Sequence, residues 1–279
     1  MISGKVRDVF ETEGGLVIVT TDRISAFDVI LPTEIPGKGA ALNGISNFWF
    51  ALTRALVPNH LITTETEEMP GNFKLDKPAY EGRTVYVKRL QMLPFEFIIR
   101  GYIFGNMWKA YQDGEAFCGQ KIVGDYQQAE KLRTPIITPS TKASEGHDVY
   151  ISLRELEAAL GKALADKICK ICLELYDRCY NYALQKGIII ADTKLEFGLD
   201  ENGQLVLADE IFTPDSSRFW DAGTYKVGES PQSYDKQFVR DWLIQNKLDG
   251  VEPAPELPAD IVKETARLYA ECLAKITGE

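Results

Sequence analysis

Residues 188–212, IIIADTKLEFGLDENGQLVLADEIF, decide the fold and the site of this chain. Two apolar-rich runs flank Asn202 and Gly203, and this dipeptide is the strongest short signal for a two-residue β-hairpin turn. If the turn is centred on these two residues, Glu196 lies directly opposite Asp209 on the neighbouring strand. The segment therefore predicts a hairpin that brings two carboxylates together.

The paired acids predict a cation site. Because side chains alternate along a strand, Asp192 and Lys194 are expected on the same face as Glu196. Two carboxylates that oppose each other across a sheet are destabilising, and a divalent cation would remove the repulsion. Two carboxylates together with substrate phosphates are a common Mg²⁺ donor set. A solvated hairpin neutralised by Lys194 and water is the alternative, since a one-residue shift in register would undo the pairing.

Composition bounds the class of protein. The chain has 279 residues, 45% hydrophobic and 26% charged, which is ordinary for a globular protein of one large domain or a few interlocked subdomains. The net charge of −10 argues against a nucleic-acid partner, because phosphate contacts need clustered Lys and Arg. A small phosphorylated substrate in a locally basic cleft remains compatible with that charge.

Targeting and cysteine usage favour a cytoplasmic location. The N-terminal segment MISGKVRDVFETEGG lacks the apolar stretch of a secretory signal, and no run of about 18 apolar residues predicts a membrane span. Five cysteines, an odd number, fit reduced thiols better than a disulfide framework. Cys169 and Cys172 have the spacing of half a zinc site or a redox pair, but Cys172 falls on an apolar helical stripe and the pair is interpreted as core.

The first half of the chain predicts strands mixed with one helix. Residues 5–20 are typical of a hairpin, residues 43–56 have helical periodicity, and RTVYVKRL and FEFIIRGY are typical of strands. Residues 114–148 are loop-rich. No regular βαβ alternation is present, so the predicted fold class is α+β with largely antiparallel sheet.

The second half predicts longer helices around the central hairpin. Ser152 and Glu155 form a capping box, Gly161 should interrupt the helical region, and Gly187 should end it. A short helix is expected near DKQFVRDWLIQN, and a proline-rich linker leads into a last helix. We expect an N-terminal subdomain over residues 1–90, a central subdomain over 91–250, and a linker with the last helix over 251–279.

Several polar segments outside the hairpin are candidate binding residues. Lys5 and Arg7 follow a glycine at a hairpin start and could cover a triphosphate, although most such segments are exposed edges. Lys88 lies in a strand, where it is either solvent-facing or in contact with ATP phosphates, and the backbone that follows it could recognise an adenine edge. Glu96 and Arg100 share one strand face, either as an ion-paired surface or, through Arg100, as a carboxylate or phosphate contact.

Two loops add weaker candidates. Residues 213–218, TPDSSR, resemble a turn that leads to a helix N-terminus, where anions bind readily, or a simple capped turn. His147 and Asp148 could perform acid–base chemistry, or form a surface hydrogen-bonding pair.

Taken together, these motifs resemble one family. The chain resembles the SAICAR synthetases (phosphoribosylaminoimidazole-succinocarboxamide synthases). The resemblance covers nearly everything from Gly4 to Leu243, in family order, through GKVRDVF, TDRISAFDV, GKGAALNGISNFWF, FEFIIRGYIFGNMW, TPSTKASEGHD, ADTKLEFG, LADEIFTPDSSRFW and SYDKQFVRDWL.

The resemblance implies a fold similar to ATP-grasp enzymes, with nucleotide between two α+β subdomains, and a ligase that uses ATP and Mg²⁺. Carboxyaminoimidazole ribotide (CAIR) and L-aspartate are the implied small-molecule substrates, joined through an acyl phosphate or by direct displacement. An ATP-dependent small-molecule kinase and a non-catalytic nucleotide-binding module are the rival interpretations. Neither nucleic acid nor membrane is expected as a partner, and homo-oligomer formation is open.

The resemblance also implies residue roles on the nucleotide side. Lys5 and Arg7 would cover the phosphates, and Lys88 and Leu93 would border the adenine. Glu196 and Asp209 would bind Mg²⁺ and, through it, the nucleotide. Asp192, Lys194 and Arg218 are the implied catalytic residues, with Lys194 in contact with phosphate or substrate.

The remaining roles concern the other two substrates. Arg100, Asp215, Ser217 and Arg218 match ribotide positions. Asn106 occupies a position where some members have Ser, which leaves its implied ribotide contact in doubt. Ser25, Lys142 and His147 are expected to shape the aspartate side.

Overall fold

The computed structural model describes residues 1–27, 29–74, 76–142, 148–234 and 236–278. The helices are α1 (Lys38–Thr53), α2 (Lys77–Tyr80), α3 (Gly105–Gln112), α4 (Leu153–Leu160), α5 (Lys162–Gln185), α6 (Gln237–Gln245) and α7 (Ala259–Thr277), with 3₁₀ helices at Thr66–Glu68 and Gly71–Lys74. The strands are β1 (Ile2–Ser3), β2 (Arg7–Glu11), β3 (Leu16–Thr20), β4 (Ser25–Ala26), β5 (Val29–Ile30), β6 (Leu61–Thr63), β7 (Thr84–Val87), β8 (Gln91–Met92), β9 (Phe95–Tyr102), β10 (Lys131–Thr141), β11 (Ile188–Leu199), β12 (Leu205–Ala208) and β13 (Ser217–Asp221).

Two antiparallel sheets organise the chain. The first has strand order β1-β2-β3-β7-β6 and contains the predicted N-terminal hairpin, in which Arg7 pairs with Thr20. The second has order β10-β9-β11-β12, and β8 and β13 also pair with β11. The structure confirms the predicted α+β class, which follows from alternating strands joined by hairpins rather than by crossover helices.

The central hairpin forms, but the predicted register is wrong by one residue. Glu196 pairs with Ala208, and the Asp200 amide donates to the Gln204 carbonyl at 3.0 Å, so the loop has three residues, 201–203, rather than two. The Asp200 carboxylate accepts hydrogen bonds from the amides of Asn202 and Gln204 and stabilises the longer loop. Gly203 supplies the left-handed residue (φ 74°) that such a three-residue loop needs.

The region predicted as loop contains a long strand. β10 covers Lys131–Thr141 and pairs with β9 across Ile137 and Ile99. Its two prolines, Pro135 and Pro139, suppressed a strand prediction. β10 ends the strand order of its sheet, and an outer strand tolerates residues that cannot donate to a ladder.

Helix α1 begins earlier than predicted. It starts at Lys38, within the glycine-rich segment that predicted a loop, and runs to Thr53. Its first turns pack against α7, where Ala41 and Leu42 contact Tyr269. Local propensity therefore yields to packing against an element more than 200 residues later.

The helix boundaries predicted around residue 160 are confirmed. Ser152 and Glu155 form the reciprocal capping box of α4. Gly161 separates α4 from α5, and α5 ends two residues before Gly187. Helix α5 packs against β11 through the largest apolar core, which also includes Ile168, Cys172 and Cys179. The interpretation of the cysteine pair as core is thus confirmed for Cys172, whose side chain is fully buried.

No helix among the described ranges has the length and apolarity needed to span a bilayer. The first sheet lies within residues 2–87 and the second within residues 91–221. The division into subdomains 1–90, 91–250 and 251–279 stays a prediction.

Candidate functional site

One face of β11 carries Asp192, Lys194 and Glu196. Asp192 pairs in register with Arg100 on β9 and with Arg218 on β13, so an arginine flanks it on each side. The Asp192 carboxylate accepts a hydrogen bond from Arg100 Nη1 at 3.2 Å and another from Arg218 Nη1. The pairing of β11 with β9 and β13 therefore places Asp192, Arg100 and Arg218 side by side.

The two arginines are held by neutral and aromatic groups. Arg100 donates from Nε to Thr138 Oγ1 at 2.9 Å and is buried. The Arg218 guanidinium lies 5.5 Å from the centre of the Phe104 ring. Gly105, at φ +58°, leaves room for Arg218, because a Cβ there would lie 3.0 Å from its Nη2. These contacts preorganise two cations around one carboxylate.

A second charged group surrounds Glu196. Lys194 Nζ donates to Glu196 Oε1 at 2.6 Å and to Glu96 Oε1 at 2.9 Å. Lys142 Nζ also donates to Glu196, from the segment that follows β10. Glu196 is 1% exposed whereas Lys142 is 48% exposed. The Glu196 carboxylate is thus buried, whereas one of its two lysine partners is half-exposed to solvent.

Asp209 joins this group although the predicted register was wrong. It follows β12 in a left-handed conformation (φ 58°), and its carboxylate lies 3.8 Å from Lys194 Nζ and 3.4 Å from Arg7 Nη1. Arg7 also pairs with Glu210. Glu196 and Asp209 therefore share Lys194, and Arg7 links them to the first sheet.

The electrostatics keep these groups charged. Burial opposes ionisation of Asp209, but Arg7, Lys194 and Lys142 outweigh it and lower the pKa of the carboxyl. Burial likewise opposes the charge on Lys194, but Asp209, Glu196 and Glu96 raise its pKa. Nearby His60 differs, because burial lowers its pKa to about 4 and leaves the imidazole neutral at pH 7.

A third acid, Asp215, forms a closed internal ion pair. Lys38 Nζ donates to Asp215 Oδ2 at 2.7 Å, and the Tyr269 hydroxyl donates to Oδ1 at 2.6 Å. Lys38 is 0% exposed. Burial opposes the charge on Asp215, but Lys38 and Lys236 lower its pKa. This arrangement fixes the turn at residues 213–217 against α1 and α7.

That turn leads into strand β13, so the prediction of a helix N-terminus there is wrong. Thr213 and Ser216 instead bond each other, as in a capped turn. Ser217, the first residue of β13, donates to Thr193 Oγ1 on β11 at 2.9 Å.

A cavity of about 170 Å³ opens beside this turn. Its lining is formed by Asp192, Pro214, Asp215, Ser216, Ser217, Arg218, Lys236 and Arg240. Burial lowers the pKa of Lys236, Asp215 opposes that change, and Arg240 and Lys38 add to it. Among described groups, the buried Arg240 Nε has no hydrogen-bond partner. Because both acids in the lining are already paired, the cavity presents surplus positive charge.

A larger cleft of about 460 Å³ lies at the hairpin ends. It is lined by Glu13, Gly14, Gly15, Lys88, Arg89, Asp200, Glu201 and Asn202. Lys88 is exposed there, whereas the Leu93 side chain is buried in the main core and its amide donates to the Phe197 carbonyl. Lys5 is exposed on the segment that precedes β2.

Three comparisons assign the chain to a family. A family model described as SAICAR synthetase matches residues 1–257. The phosphoribosylaminoimidazole-succinocarboxamide synthase of Cupriavidus metallidurans is 50% identical over 285 residues, which cover 99% of this chain and 93% of that protein. The chain belongs to the SAICAR synthetase family.

Solved structures agree with this family assignment. SAICAR synthase from Saccharomyces cerevisiae, complexed with SAICAR, has a TM-score of 0.91 and 42% identity, covering 100% of this chain and 94% of its own. A SAICAR synthetase in complex with ADP has a TM-score of 0.73 and 26% identity, covering 100% and 97%. This family member is thus an ATP-dependent ligase of purine biosynthesis, and the small-molecule kinase alternative is not favoured.

Most residues that the SAICAR synthetase resemblance implied form two groups along one face of β11. Arg100, Asp192 and Arg218 form one group, and Lys194, Glu196, Asp209, Arg7 and Lys142 form the other. Asn106 lies at the start of α3, where its amide donates to the Tyr150 hydroxyl. Ser25 is buried in β4, and His147 lies outside the described residues.

Sequence reasoning missed Lys38, Glu210, Lys236 and Arg240. Lys38 was hidden in a segment that predicted a loop, and Glu210 follows directly after Asp209. Lys236 and Arg240 are four residues apart at the start of the predicted helix near residue 237, which places both on one helical face. That spacing was the signal that could have identified them.

Proposed function

We propose that this chain joins the carboxylate of CAIR to the amine of L-aspartate while ATP is cleaved to ADP and phosphate. The observation that carries the proposal is the face of β11, where Asp192 lies between two arginines and Glu196 between two lysines. The two arginines around one acid leave surplus positive charge at the Asp192 end, which suits a phosphorylated substrate, and the acids mixed with cations at the Glu196 end suit nucleotide phosphates with a metal ion.

The ribotide is proposed to bind at Asp192. Arg100 and Arg218 have fork-shaped guanidinium groups that suit its phosphate and carboxylate. Asn106, whose amide donates to Tyr150, and Ser217, whose hydroxyl donates to Thr193, are the neutral groups proposed beside them. Since both oxygens of Asp215 are bonded by Lys38 and Tyr269, we propose that Asp215 acts by fixing the turn beneath the ribotide.

The nucleotide is proposed to lie between the two sheets. Arg7 connects the first sheet to Asp209, so it lies where phosphates would meet the acids of the second sheet. Lys5 would cover the phosphates from the preceding segment, and Lys88 lines the larger cleft. Leu93 would contribute through its backbone, because its side chain is buried in the core.

Magnesium fits the donor set of Glu196 and Asp209. No cluster of three or more His, Cys, Asp or Glu ligands occurs among the residues that the structure describes, so phosphate oxygens and water would complete the coordination. The two carboxylates already converge on one cation, Lys194 Nζ, at 2.6 and 3.8 Å. A bound Mg²⁺ would neutralise charge on the nucleotide phosphates.

The proposed reaction has two steps. A carboxylate oxygen of CAIR attacks the γ-phosphorus, the bond between that phosphorus and the bridging oxygen breaks, and ADP leaves with the electron pair on that oxygen. The aspartate amine then attacks the acyl carbon, the carbon–oxygen bond to phosphate breaks, and the amide forms as the nitrogen loses a proton. Lys194 and Arg218 would hold the transferring group and the ribotide in line, so positioning and charge neutralisation supply the catalysis.

L-Aspartate is proposed to bind in the smaller cavity. Lys236 and Arg240 offer two cations to its two carboxylates, and the buried Arg240 Nε lacks a partner within the described chain. The Phe27 ring lies 6.0 Å from the Arg240 guanidinium, so the loop that contains Ser25 borders this cavity. Lys142 and His147 stay predicted contributors to aspartate binding, although Lys142 bonds Glu196 in the structure rather than lining this cavity.

A turnover assay with single omissions tests the proposal. Purified protein with ATP, Mg²⁺, CAIR and aspartate should release ADP, phosphate and SAICAR in equal amounts. Omission of any one component should abolish SAICAR formation. ADP release without aspartate, with phosphate retained on a stable acceptor, would indicate a kinase. Nucleotide binding without any turnover would indicate a binding module.

Two further expectations stay predictions of this proposal. A cytoplasmic location can be checked by cell fractionation, and homo-oligomer formation by sedimentation analysis.

A further inference from the structure

Tyr150 lies beside the proposed ribotide residues without an assigned role. Its hydroxyl oxygen accepts a hydrogen bond from Arg100 Nη2 at 3.4 Å and one from Asn106 Nδ2 at 3.4 Å. Arg100 comes from β9 and Asn106 from α3, so the tyrosine joins two elements that approach the same pocket. The inference below rests on the proposed binding of the ribotide at these residues.

The Tyr150 backbone is anchored to the outer edge of the second sheet. Tyr150 forms an antiparallel bridge with Ser140 of β10, and the amide of Ile151 donates to the Pro139 carbonyl at 3.0 Å. The bridge and this hydrogen bond hold the backbone at Tyr150 and Ile151 against β10. The position of the ring is therefore set by the sheet.

The Tyr150 ring also helps to orient Arg100. Its centre lies 4.8 Å from that of Phe117, and the Arg100 guanidinium lies 5.3 Å from the Phe117 ring and 5.9 Å from the Tyr150 ring. Cation–π contacts of this kind fix a guanidinium while leaving its donors free for an anion. Tyr150 is 38% exposed, so a substrate can approach its side chain.

The two hydrogen bonds to the hydroxyl are long compared with the usual donor–acceptor distance of about 2.9 Å. A phosphate oxygen is a stronger acceptor than a phenol, because charged hydrogen bonds are shorter and stronger than neutral ones. Arg100 and Asn106 can therefore turn from the tyrosine oxygen to a phosphate oxygen. The phenol hydrogen then remains to donate to the same phosphate.

We propose that Tyr150 is a third contact to the ribotide phosphate and a specificity-determining residue of this chain. Arg100 supplies the charge, Asn106 a neutral amide, and Tyr150 a hydroxyl. The phosphate is thus recognised by one cation and two neutral donors from three separate segments.

The test is the Tyr150→Phe variant, which removes the hydroxyl and keeps the ring. The KM for CAIR should rise about tenfold, while kcat and the KM values for ATP and aspartate change less than twofold. Ribose 5-phosphate, used as a competitive inhibitor against CAIR, should lose a similar factor in affinity. An unchanged KM for CAIR, or an equal rise in the KM of all three substrates, would overturn the proposal.

Two control variants separate the possible causes. Tyr182→Phe removes a hydroxyl that donates to the Ile276 carbonyl of α7, away from the proposed ribotide residues, and it should leave all three KM values unchanged. If Tyr150→Phe lowers the melting temperature without affecting CAIR, the hydroxyl is structural and the inference fails. Arg218→Ala tests the ribotide pocket itself. A raised KM for CAIR in Arg218→Ala but not in Tyr150→Phe would refute only the role of Tyr150.

Discussion

Asp215 and Glu196 are both buried carboxylates held by lysines, yet their partners differ in access to solvent. Asp215 is bonded by Lys38, which is fully buried, and by Tyr269, so both of its oxygens are enclosed. Glu196 is bonded by Lys142, which is half-exposed, and by Lys194, which is 26% exposed. The same type of charge pair is closed in one place and exchangeable in the other.

The difference separates a structural acid from a candidate ligand. The Asp215 pair cannot open without leaving a charge in the interior, which is strongly unfavourable. Lys142 can withdraw into water, so its place beside Glu196 can be taken by another cation at little cost. The solvent exposure of the lysine partner, rather than the burial of the carboxylate, therefore distinguishes Glu196 from Asp215.

The largest expected effect concerns the exchangeable acids. Glu196→Gln and Asp209→Asn should each lower kcat/KM about 1,000-fold, or about 4 kcal/mol, because charge neutralisation at the transferring phosphoryl group is lost. The melting temperature should change little. Steady-state kinetics over a Mg²⁺ titration measures the effect. Near-normal turnover with unchanged Mg²⁺ dependence in both variants would refute the metal assignment. It would also refute the distinction between a structural Asp215 and a ligand Glu196.

The closed pair should respond in stability. Lys38→Met leaves Asp215 buried without its cation and should lower the free energy of unfolding by about 3 kcal/mol. Urea unfolding of the purified variant measures this loss. Lys38→Met combined with Asp215→Leu should recover at least half of it, because no unpaired charge remains. A single variant as stable as wild type would show that this pair also exchanges with solvent.

The ribotide group should show a substrate-specific effect. Arg218→Ala should raise the KM for CAIR tenfold or more and the KM for ATP less than threefold, since a charged hydrogen bond to the ribotide is lost. Arg178→Ala, an exposed arginine on α5, provides the matched control. Equal changes for CAIR and ATP would mean that Arg218 acts on the fold of the cleft rather than on the ribotide.

The smallest expected effect is at the aspartate cavity. Lys236→Met should raise the KM for aspartate about fivefold, because one of two cations for its carboxylates is removed. The exposed Lys170→Met on α5 serves as control. If Lys236→Met instead lowers stability as much as Lys38→Met, then Lys236 belongs with the closed pair.

The sequence predicted the strands that carry the site better than the register in which those strands pair. The strand that carries Asp192, Lys194 and Glu196 was predictable because its side chains alternate and polar residues recur at every second position. The hairpin register was not, because the Asp200 side chain bonds two loop amides and adds a third residue to the turn. Asp209 still reaches Lys194, because its left-handed backbone redirects the side chain.

Local sequence patterns could not predict contacts between segments that are distant in the chain. Lys38 and Asp215 are 177 residues apart, and nothing in either segment indicates the other. β10 was missed because Pro135 and Pro139 count against a strand, although an outer strand accepts them. The resemblance to a family supplied site residues that propensity alone could not, because it reflects the whole fold.

Strand β11 has a further consequence for the reaction. Asp192 and Glu196 are four residues apart on a single extended segment, so about 13 Å separates their Cα atoms. The extended backbone fixes this distance between the two acids. A hinge motion between the two sheets would change the angle at which the bound substrates approach each other, but it would leave this distance unchanged. Insertion of one residue between the two acids would turn one of them to the opposite face, so we expect length variation in this protein to be confined to its loops.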